Sequence, residues 1–347
     1  MAQRSGRTVN AGIRGNNLSD YCDDEQKSAM KTKPAVVGVM VALILVVPFA
    51  KSTFAAEGGL GRPISGAGIN PYAGLVPPLP GFAVSVSEAY YDASIGGGTT
   101  VPIGRNLTLG VDMAVSFTPI TVLYIWPTTE KKWNFASVFS LPVAYDEAEA
   151  TVTLGRFTGR VHDDALGLFD IVFVPIVASY HISETDHVAF SFTVWAPTGD
   201  YDPNRLANLS TNTWTFIPGV AYTKIFPAAN MELSVMWGLQ FDTENTATNY
   251  QNAPLSDLEG TIIKRWKNGC GLGVIGSWIQ QLGDDSGPTA DMLNGFVGHA
   301  FGAGPILTYS TEIGKSHVDF NVRLVREFEN RRRPEGTLFQ ASGSLKF

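Results

Sequence analysis

The sequence predicts an all-β protein, specifically a transmembrane outer-membrane β-barrel of about twelve antiparallel strands. Three features lead to this prediction: a short apolar segment near the N-terminus, segments in which apolar and polar residues alternate, and connections that alternate between short and long. The composition agrees, because 16% charged residues and 36 glycines are unusual for a soluble α/β enzyme.

Charge and cysteine content argue against several functional classes. The formal net charge is -7, and phosphate contacts need clustered lysine and arginine, so we expect no nucleic-acid partner. Of the two cysteines, Cys22 lies in the N-terminal segment and Cys270 stands alone in the remainder. We therefore expect no disulfide, no cysteine-based metal site and no cofactor.

Residues 1–56 are interpreted as a leader and a secretory signal peptide. The apolar run 35–50 follows Lys31 and Lys33, and cleavage is expected near Ala55 or Ala56. A membrane anchor is the alternative, but the run is shorter than the roughly 20 residues that cross a bilayer as a helix. We also hypothesise that translation starts at Met30, because a signal beginning there has an ordinary length.

The remaining chain divides into two parts. Residues 57–81 are rich in glycine and proline, which predicts an irregular segment with little ladder pairing. This segment either folds into the lumen as a hatch or remains a loose periplasmic tail. Residues 82–347 alternate apolar with polar residues, which is the period of a strand with two different faces. They form the predicted barrel.

Twelve segments of this second part show strand periodicity. It is clearest in 107–117, 231–242 and 339–347, and weaker in 82–91, 133–145, 169–181, 187–196, 214–225, 258–266, 271–281, 296–309 and 318–328. Their lengths are near the roughly 9–11 residues that a tilted strand needs to cross a bilayer. The last segment ends at Phe347, which we interpret as the signal that the barrel-assembly machinery reads.

The connections alternate in length. Short ones are predicted at 127–132, 182–186, 227–230, 267–270 and 311–317, and longer ones at 92–106, 146–168, 197–213, 243–257, 282–295 and 329–337. With both termini in the periplasm, short connections are periplasmic turns and long ones face outward. A secreted all-β sandwich is the alternative, and its turns would be uniformly short.

Aromatic and polar residues are assigned to different surfaces. The lipid interfaces are predicted to hold Tyr90, Tyr91, Trp126, Trp133, Tyr180, Trp195, Trp214 and Trp266. The predicted lumen residues are Asp112, Glu232, Gln240, Asp319, Asn321, Arg323, Gln340 and Lys346, because bases facing lipid would cost roughly 2–4 kcal/mol each. If 328 pairs with 337, Asp319 lies opposite Lys346. Such charges either select permeants or act as structural ion pairs.

Catalysis has little support in the residues. The five histidines, His162, His181, His187, His299 and His317, show no metal-binding spacing. A lipid-acting enzyme would need serine and histidine together on an exposed face near the interface. His181 and His187 instead flank a short turn, which places them at the membrane boundary.

Four segments together resemble a known family. They are GLFD at 167–170, WAPTGDY at 195–201, DDSG at 284–287 and RPEG at 333–336. In order and spacing they are similar to the meta-pathway phenol-degradation outer-membrane family, which includes sphingosine-uptake-like transporter barrels. The residues that carry the resemblance are Trp195, Pro197, Gly199, Asp200, Asp284, Asp285, Arg333 and Pro334. Phe169 stands where the family usually has glycine.

The resemblance implies a channel or transporter for hydrophobic compounds. With it, the sequence predicts a protein of the bacterial outer membrane that is not an enzyme and passes hydrophobic or aromatic small molecules passively. The expected partners are these molecules, outer-membrane lipid with lipopolysaccharide, and the barrel-assembly machinery. A lipid-acting enzyme and a structural barrel with a filled lumen stay open as alternatives.

The processed chain is expected to begin close to Glu57, because the small residues before it suit a signal peptidase. N-terminal sequencing and intact mass of the protein from outer membranes measure this. A first residue within the apolar run would contradict the cleavage site. A cellular peptide from residues 1–29 would contradict the start at Met30.

Overall fold

The computed structural model describes residues 62–103, 106–129, 132–154, 157–314 and 316–347. The strands are β1 (Gly81–Ile103), β2 (Asn106–Ile125), β3 (Trp133–Leu154), β4 (Phe157–Leu168), β5 (Ile171–His181), β6 (Asp186–Ala196), β7 (Thr215–Phe226), β8 (Met231–Asp242), β9 (Leu255–Arg265), β10 (Cys270–Gln281), β11 (His299–Ile313), β12 (Ser316–Arg331) and β13 (Glu335–Lys346). A 3₁₀ turn (Pro227–Ala229) and helix α1 (Pro288–Met292) lie in connections. Within these ranges no helix has the length and apolarity to span a bilayer. The predicted leader and signal peptide lie outside the described residues.

The strands close into a barrel. Each pairs antiparallel with its neighbours, β1 pairs with both β2 and β13, and β2 pairs with β3. Strands β4 and β5 both pair with β3, one after the other, so they fill one position in the wall. The thirteen strands therefore make twelve positions, which confirms the predicted fold class and strand number.

Alternation gives the wall two different faces, as β8 shows. Glu232, Ser234 and Gln240 are buried inside, whereas Trp237 and Phe241 are 42% and 43% exposed on the outside. A bilayer requires large apolar side chains on the outer face. It also requires that every backbone polar group be hydrogen-bonded, which a closed sheet achieves. Strand β8 has the predicted bounds and the predicted faces.

Both ends of the wall meet at the edge that carries the short turns. Gly81 opens β1, and the backbone N–H of Phe347 donates to the carbonyl of Phe82 at 2.9 Å. Gly81 has φ +148°, and a Cβ there would lie 2.6 Å from the carbonyl oxygen of Phe347. The terminal residue therefore seals the seam between the first and last strands, and this close approach requires glycine at position 81.

Three of the six long connections were predicted wrongly. Residues 92–106, 146–168 and 329–337 are mostly strand, because β1, β2, β3, β4, β12 and β13 continue past the apolar band. Along β3, small Ala148 and Ala150 are buried inside while Glu147 and Glu149 point out. A strand whose outer face is acidic lacks the apolar outer stripe of a lipid-facing strand, so its sequence resembles a polar loop.

The outer half of β2 has its faces reversed relative to the prediction. Val111 and Met113 are buried inside at 3% and 5%, and Asp112 is exposed on the outside. Asp112 is therefore not a lumen residue. The physical reason is that this part of the lumen is apolar. Val111 and Met113 therefore face inward, and Asp112 faces water.

The register of the last hairpin differs by two residues from the one predicted. Thr337 pairs with Arg326 rather than Phe328, so Asp319 faces Ser344 and Lys346 faces His317. A shift of two keeps the same side chains inside, because the side-chain period of a strand is two. The proposed Asp319–Lys346 pair is wrong. Asp319 instead accepts a hydrogen bond from Ser310 Oγ at 2.6 Å.

Candidate functional site: the barrel lumen

Residues 62–80 lie inside the barrel. Backbone groups of this lumen segment hydrogen-bond to inward side chains of six strands: Asn134 of β3, Ser179 of β5, Thr223 of β7, Glu232 of β8, Glu259 of β9 and Arg323 of β12. These strands lie on several sides of the wall. A glycine-rich chain suits this position, because its exposed N–H and C=O groups can satisfy polar side chains that water does not reach.

The tightest contact is a clamp formed by Glu259 and Arg323. The carboxylate oxygens of Glu259 accept from the N–H groups of Gly66 and Ile69 at 2.8 and 2.6 Å. The Arg323 guanidinium donates to the carbonyls of the same two residues at 2.9 and 2.6 Å. Both charged side chains are 1% exposed. Burying such groups is costly unless they are hydrogen-bonded, and one backbone turn supplies hydrogen bonds to both side chains.

Nearer the short turns, the segment contacts the wall through Tyr72 and Gly74. The ring of Tyr72 lies 4.7 Å from the Arg265 guanidinium, which is ion-paired with Glu232 at 2.8 Å. Gly74 donates to Thr223 Oγ1 at 2.9 Å. A Cβ at Gly74 would lie 2.7 Å from the backbone of both His187 and Thr223, so only glycine fits against the wall here.

At the opposite end of the segment, Arg62 contacts two residues of the family motifs, Asp170 and Trp195. Its guanidinium pairs with the buried Asp170 at 2.8 Å and lies 4.8 Å from the ring of Trp195. Asp170 also accepts from the backbone N–H groups of Thr198 and Gly199 at 2.9 and 3.0 Å. The carboxylate of the GLFD segment thus folds the WAPTGDY loop, and Arg62 neutralises it.

Gly199 shows why this motif contains glycine. A Cβ there would lie 1.9 Å from the carbonyl oxygen of Leu209. Leu209 in turn donates its N–H to the carbonyl of Asp200 at 2.9 Å. The motif residues therefore shape the 197–213 loop that covers the cavity described next.

A cavity of about 470 Å³ lies between the lumen segment, the wall and this loop. Its aromatic lining residues include Tyr91, Phe117, Phe169 and Trp195. Phe169 meets Phe117 edge-on with ring centroids 5.5 Å apart, and meets Trp195 edge-on at 6.2 Å. Met113, Val115 and Ile217 add aliphatic surface. A mostly apolar cavity with a few polar groups is typical of a small-molecule site.

Two residues assigned to the lipid interface belong to this cavity instead. Tyr91 is 5% exposed and donates its hydroxyl to Glu327, and Trp195 packs against Phe169 and Arg62. Trp126, Trp214 and Trp266 are 36%, 44% and 49% exposed on the outer surface. Nearness to a strand end predicts an aromatic belt, but it does not tell the inner face from the outer one.

The other predicted lumen residues are brought together only in part. Glu232, Gln240 and Arg323 contact the lumen segment, and Gln240 and Gln340 line the cavity. Asn321 bridges Ser342 and Arg323. Asp319 and Lys346 lie near the seam end and are partly exposed. A role of these residues in permeation stays a prediction.

Several site residues were missed. Glu259 and Asp257 sit at alternate positions of β9, so their spacing was a signal for two more inward acids. Arg62 lies in a segment without periodicity, and Asp146 lies in a stretch interpreted as a loop. Nothing local marks either residue, because their partners are distant in sequence.

The remaining motif residues fix the outer loops. Arg333 donates to the carbonyl of Pro63 at 2.9 Å, and Pro334 lines the cavity beside it. Asp285 accepts from Tyr250 Oη at 2.7 Å and from Gln281 Nε2 at 2.6 Å, joining two loops. Burial raises the pKa of the Asp285 carboxyl to about 6. Neighbouring Asp284 is exposed. Across the described ranges, no cluster of three histidine, cysteine or acidic side chains is placed to hold a metal ion.

The comparisons with known proteins agree with this architecture. Residues 92–342 match the sequence model of a family described as "Putative MetA-pathway of phenol degradation". The fold is similar to that of an outer membrane channel from Pseudomonas putida F1, with 13% identity, a TM-score of 0.62, and coverage of 80% of this chain and 100% of that one. At this identity the likeness is one of fold.

Two further solved structures are more distant. A Pseudomonas aeruginosa FadL homologue has 8% identity, a TM-score of 0.44 and coverage of 86% of this chain and 98% of that one. The CymD monoaromatic hydrocarbon channel has 7% identity, a TM-score of 0.40 and coverage of 77% and 88%. No curated protein sequence matches the chain.

The loops joined by Asp285 are expected to open more readily at pH 8 than at pH 5. Below about pH 4 the folded and open states both hold the proton, and the folded loops keep their full stability. As pH rises through the folded pKa of about 6, the folded state must bury a carboxylate and loses stability. Limited proteolysis of wild type at both pH values measures this opening.

The matched variants are Asp285→Asn and Asp284→Asn. Asp284→Asn should change the wild-type ratio of cleavage rates between pH 8 and pH 5 only slightly, because this carboxyl is exposed and its charge is a minor cause of the raised pKa of Asp285. Asp285→Asn should lower the ratio, since an amide has no proton to lose. Equal ratios in all three proteins would contradict the assignment.

Proposed function

This chain belongs to the family described as "Putative MetA-pathway of phenol degradation", and from that premise we propose that it is a passive channel for hydrophobic and aromatic small molecules in the bacterial outer membrane. The observation that carries the proposal is the apolar cavity inside the barrel, whose lining includes Tyr91, Phe117, Phe169 and Trp195. The barrel from Pseudomonas putida F1, which has a similar fold, is an outer membrane channel.

The cavity suits an aromatic guest in size and in chemistry. Its volume of about 470 Å³ lies within the range of small-molecule sites. Aromatic rings prefer edge-to-face contact, and Phe169 already makes such contacts with Phe117 and with Trp195, so a guest ring can be held in the same way. Burying an apolar ring contributes about 25 cal/mol per Å² removed from water. Such binding is favourable enough for entry and weak enough for release.

We propose that the lumen segment 62–80 is a hatch below this cavity. Its support is the set of contacts with six strands, which fills the lumen between the clamp and the seam. The predicted alternative, a loose periplasmic tail, would not make these contacts. Such a hatch would narrow the pore and make the cavity the selective step.

We further propose that the protein reaches the outer membrane after removal of a signal peptide. The apolar run 35–50 supports export, and Phe347 at the seam supports recognition by the barrel-assembly machinery. The exposed aromatic and aliphatic side chains of the outer face support contact with outer-membrane lipid.

The alternative functions have weaker support. His181 and His187, the candidates for a lipid-acting enzyme, hydrogen-bond to each other through their Nδ1 atoms at 2.8 Å. His181 Nε2 contacts the amide of Asn134. Both histidines thus hold the lower part of the lumen. A structural barrel with a filled lumen is disfavoured by the cavity itself.

Filling the cavity is expected to block uptake. Val115→Trp adds a large ring beside Phe117 and Met113, so entry of a hydrophobic fluorescent aromatic probe into intact cells should fall to the rate of a deletion strain. Val122→Trp is the matched control, because Val122 lies on the same strand but is 36% exposed on the lipid side. Probe fluorescence in cells with intact lipopolysaccharide measures the rate.

Two results would argue against the channel. Equal uptake by Val115→Trp and by wild type would show that the cavity is not on the route. Hydrolysis of phospholipid by the purified protein would favour the enzyme, and neither uptake nor hydrolysis would favour the structural barrel.

Removing the hatch is expected to raise ionic conductance in planar bilayers several-fold. Deleting residues 62–78 removes the contacts with Glu259 and Arg323 and keeps Gly81 for the seam. Glu259→Gln should instead increase brief opening events, because a neutral amide holds the two N–H groups less strongly. Glu147→Gln, on the outer face, is the control. An unchanged trace after the deletion would contradict a hatch.

A further inference from the structure

We propose that Asp146 gives the cavity a preference for neutral aromatic molecules that carry a hydroxyl group. This inference rests on the proposed function and deepens it by naming the chemical class of the permeant. The observation behind it is a buried acid in the lining of the apolar cavity, neither of whose oxygens has a partner among the described residues.

Asp146 sits on the inner face of β3, next to Ala144 and Ala148. It is 2% exposed, and neither of its carboxyl oxygens is hydrogen-bonded to any residue in the described ranges. An isolated buried carboxyl of this kind costs several kcal/mol unless a binding partner compensates it. Alanine or valine would fill the position at lower cost. The acid therefore points to a guest that hydrogen-bonds to it.

Two nearby acids show the contrast. Asp170 is paired with Arg62 and accepts backbone N–H groups. Asp163 is paired with Arg205 at 2.9 Å and accepts the N–H groups of Leu206 and Ala207, both at 3.1 Å. These two carboxylates have structural partners and hold loops in place. Asp146 has none of these contacts, so a loop-fixing role does not account for it.

A second polar group in the same cavity completes the chemistry. Asn208 is 3% exposed and lines the cavity. Its Oδ1 accepts the N–H of Asp202, but its Nδ2 is buried without a partner among the described residues. Asp146 can accept a hydrogen bond and Asn208 can donate one. A hydroxyl group does both at once, donating its proton to the acid and accepting from the amide.

A cationic amine fits this arrangement less well. An ammonium group has no lone pair to accept a hydrogen bond from Asn208. The Arg62 guanidinium already occupies the faces of Trp195 and Phe169, at 4.8 and 5.7 Å from the ring centroids. A second cation would be repelled there. The cavity therefore favours a neutral hydroxyl group over a charged amine.

The test compares p-cresol with p-xylene, which differ by a hydroxyl group in place of a methyl group of similar size. Binding to the full processed chain in amphipol is measured by calorimetry. Asp146→Leu keeps the volume and removes the acceptor. The ratio of p-cresol affinity to p-xylene affinity should fall by about tenfold or more in Asp146→Leu, the value expected for a hydrogen bond of about 1.4 kcal/mol.

Glu147→Gln is the matched control, since it is the adjacent residue of β3 and faces outward. It should keep the wild-type affinity ratio. Asp146→Asn should give an intermediate ratio, which keeps the test open if Asp146→Leu does not assemble. Heat-dependent mobility in electrophoresis verifies that each variant is folded.

Three results would overturn the inference. The first is an unchanged ratio in Asp146→Leu, and the second is tighter wild-type binding of benzylamine than of p-cresol, which would make the guest a cation. The third is equal loss of both ligands in Asp146→Leu, which would show a structural role. In each case, continued binding of p-xylene by wild type leaves the channel proposal standing. Absence of binding of all three ligands by wild type would count against that proposal as well.

Discussion

The whole structure depends on one constraint, which is that a sheet surrounded by lipid cannot leave a backbone edge unpaired. Twelve strand positions satisfy it by closing through the β1–β13 pair, and Phe347 adds the last backbone hydrogen bond at the seam. Closure then creates a second requirement. The inward polar side chains of β8, β9 and β12 are removed from bulk water and need partners within the lumen. The glycine-rich segment 62–80 supplies them from its own backbone.

The division of the lumen into two regions follows from this arrangement. Around the segment, charged groups such as Glu259 and Arg323 are balanced by backbone dipoles. Above it, Tyr91, Phe117, Phe169 and Trp195 leave an apolar space capped by the WAPTGDY loop. The family motif lies where the two regions meet, because Asp170 both folds this loop and receives Arg62 from the segment. The apolar cavity and the polar support of the segment thus lie next to each other, and Arg62 and Gln240 belong to both.

Much of the fold could be predicted from the sequence, since side-chain alternation in a strand is local. Strand β8 has its predicted bounds, and the twelve-strand barrel follows from counting such segments. Alternation defines two faces without stating which one is inside, so β2 was assigned backwards and Asp112 misplaced. The contacts of Glu259 with the segment could not be predicted from local sequence, because Glu259 and Ile69 are 190 residues apart. Only the closed sheet brings them together.

The position of the lumen segment in the chain restricts how the segment can enter the barrel. Residues 62–80 precede β1, whereas the strand that completes the wall, β13, is the last to be synthesised. A segment that lies outside a closed barrel cannot pass sideways between strands that are already hydrogen-bonded. The segment therefore has two routes into the lumen, either between β1 and β13 before these strands pair or along the barrel axis through an open end.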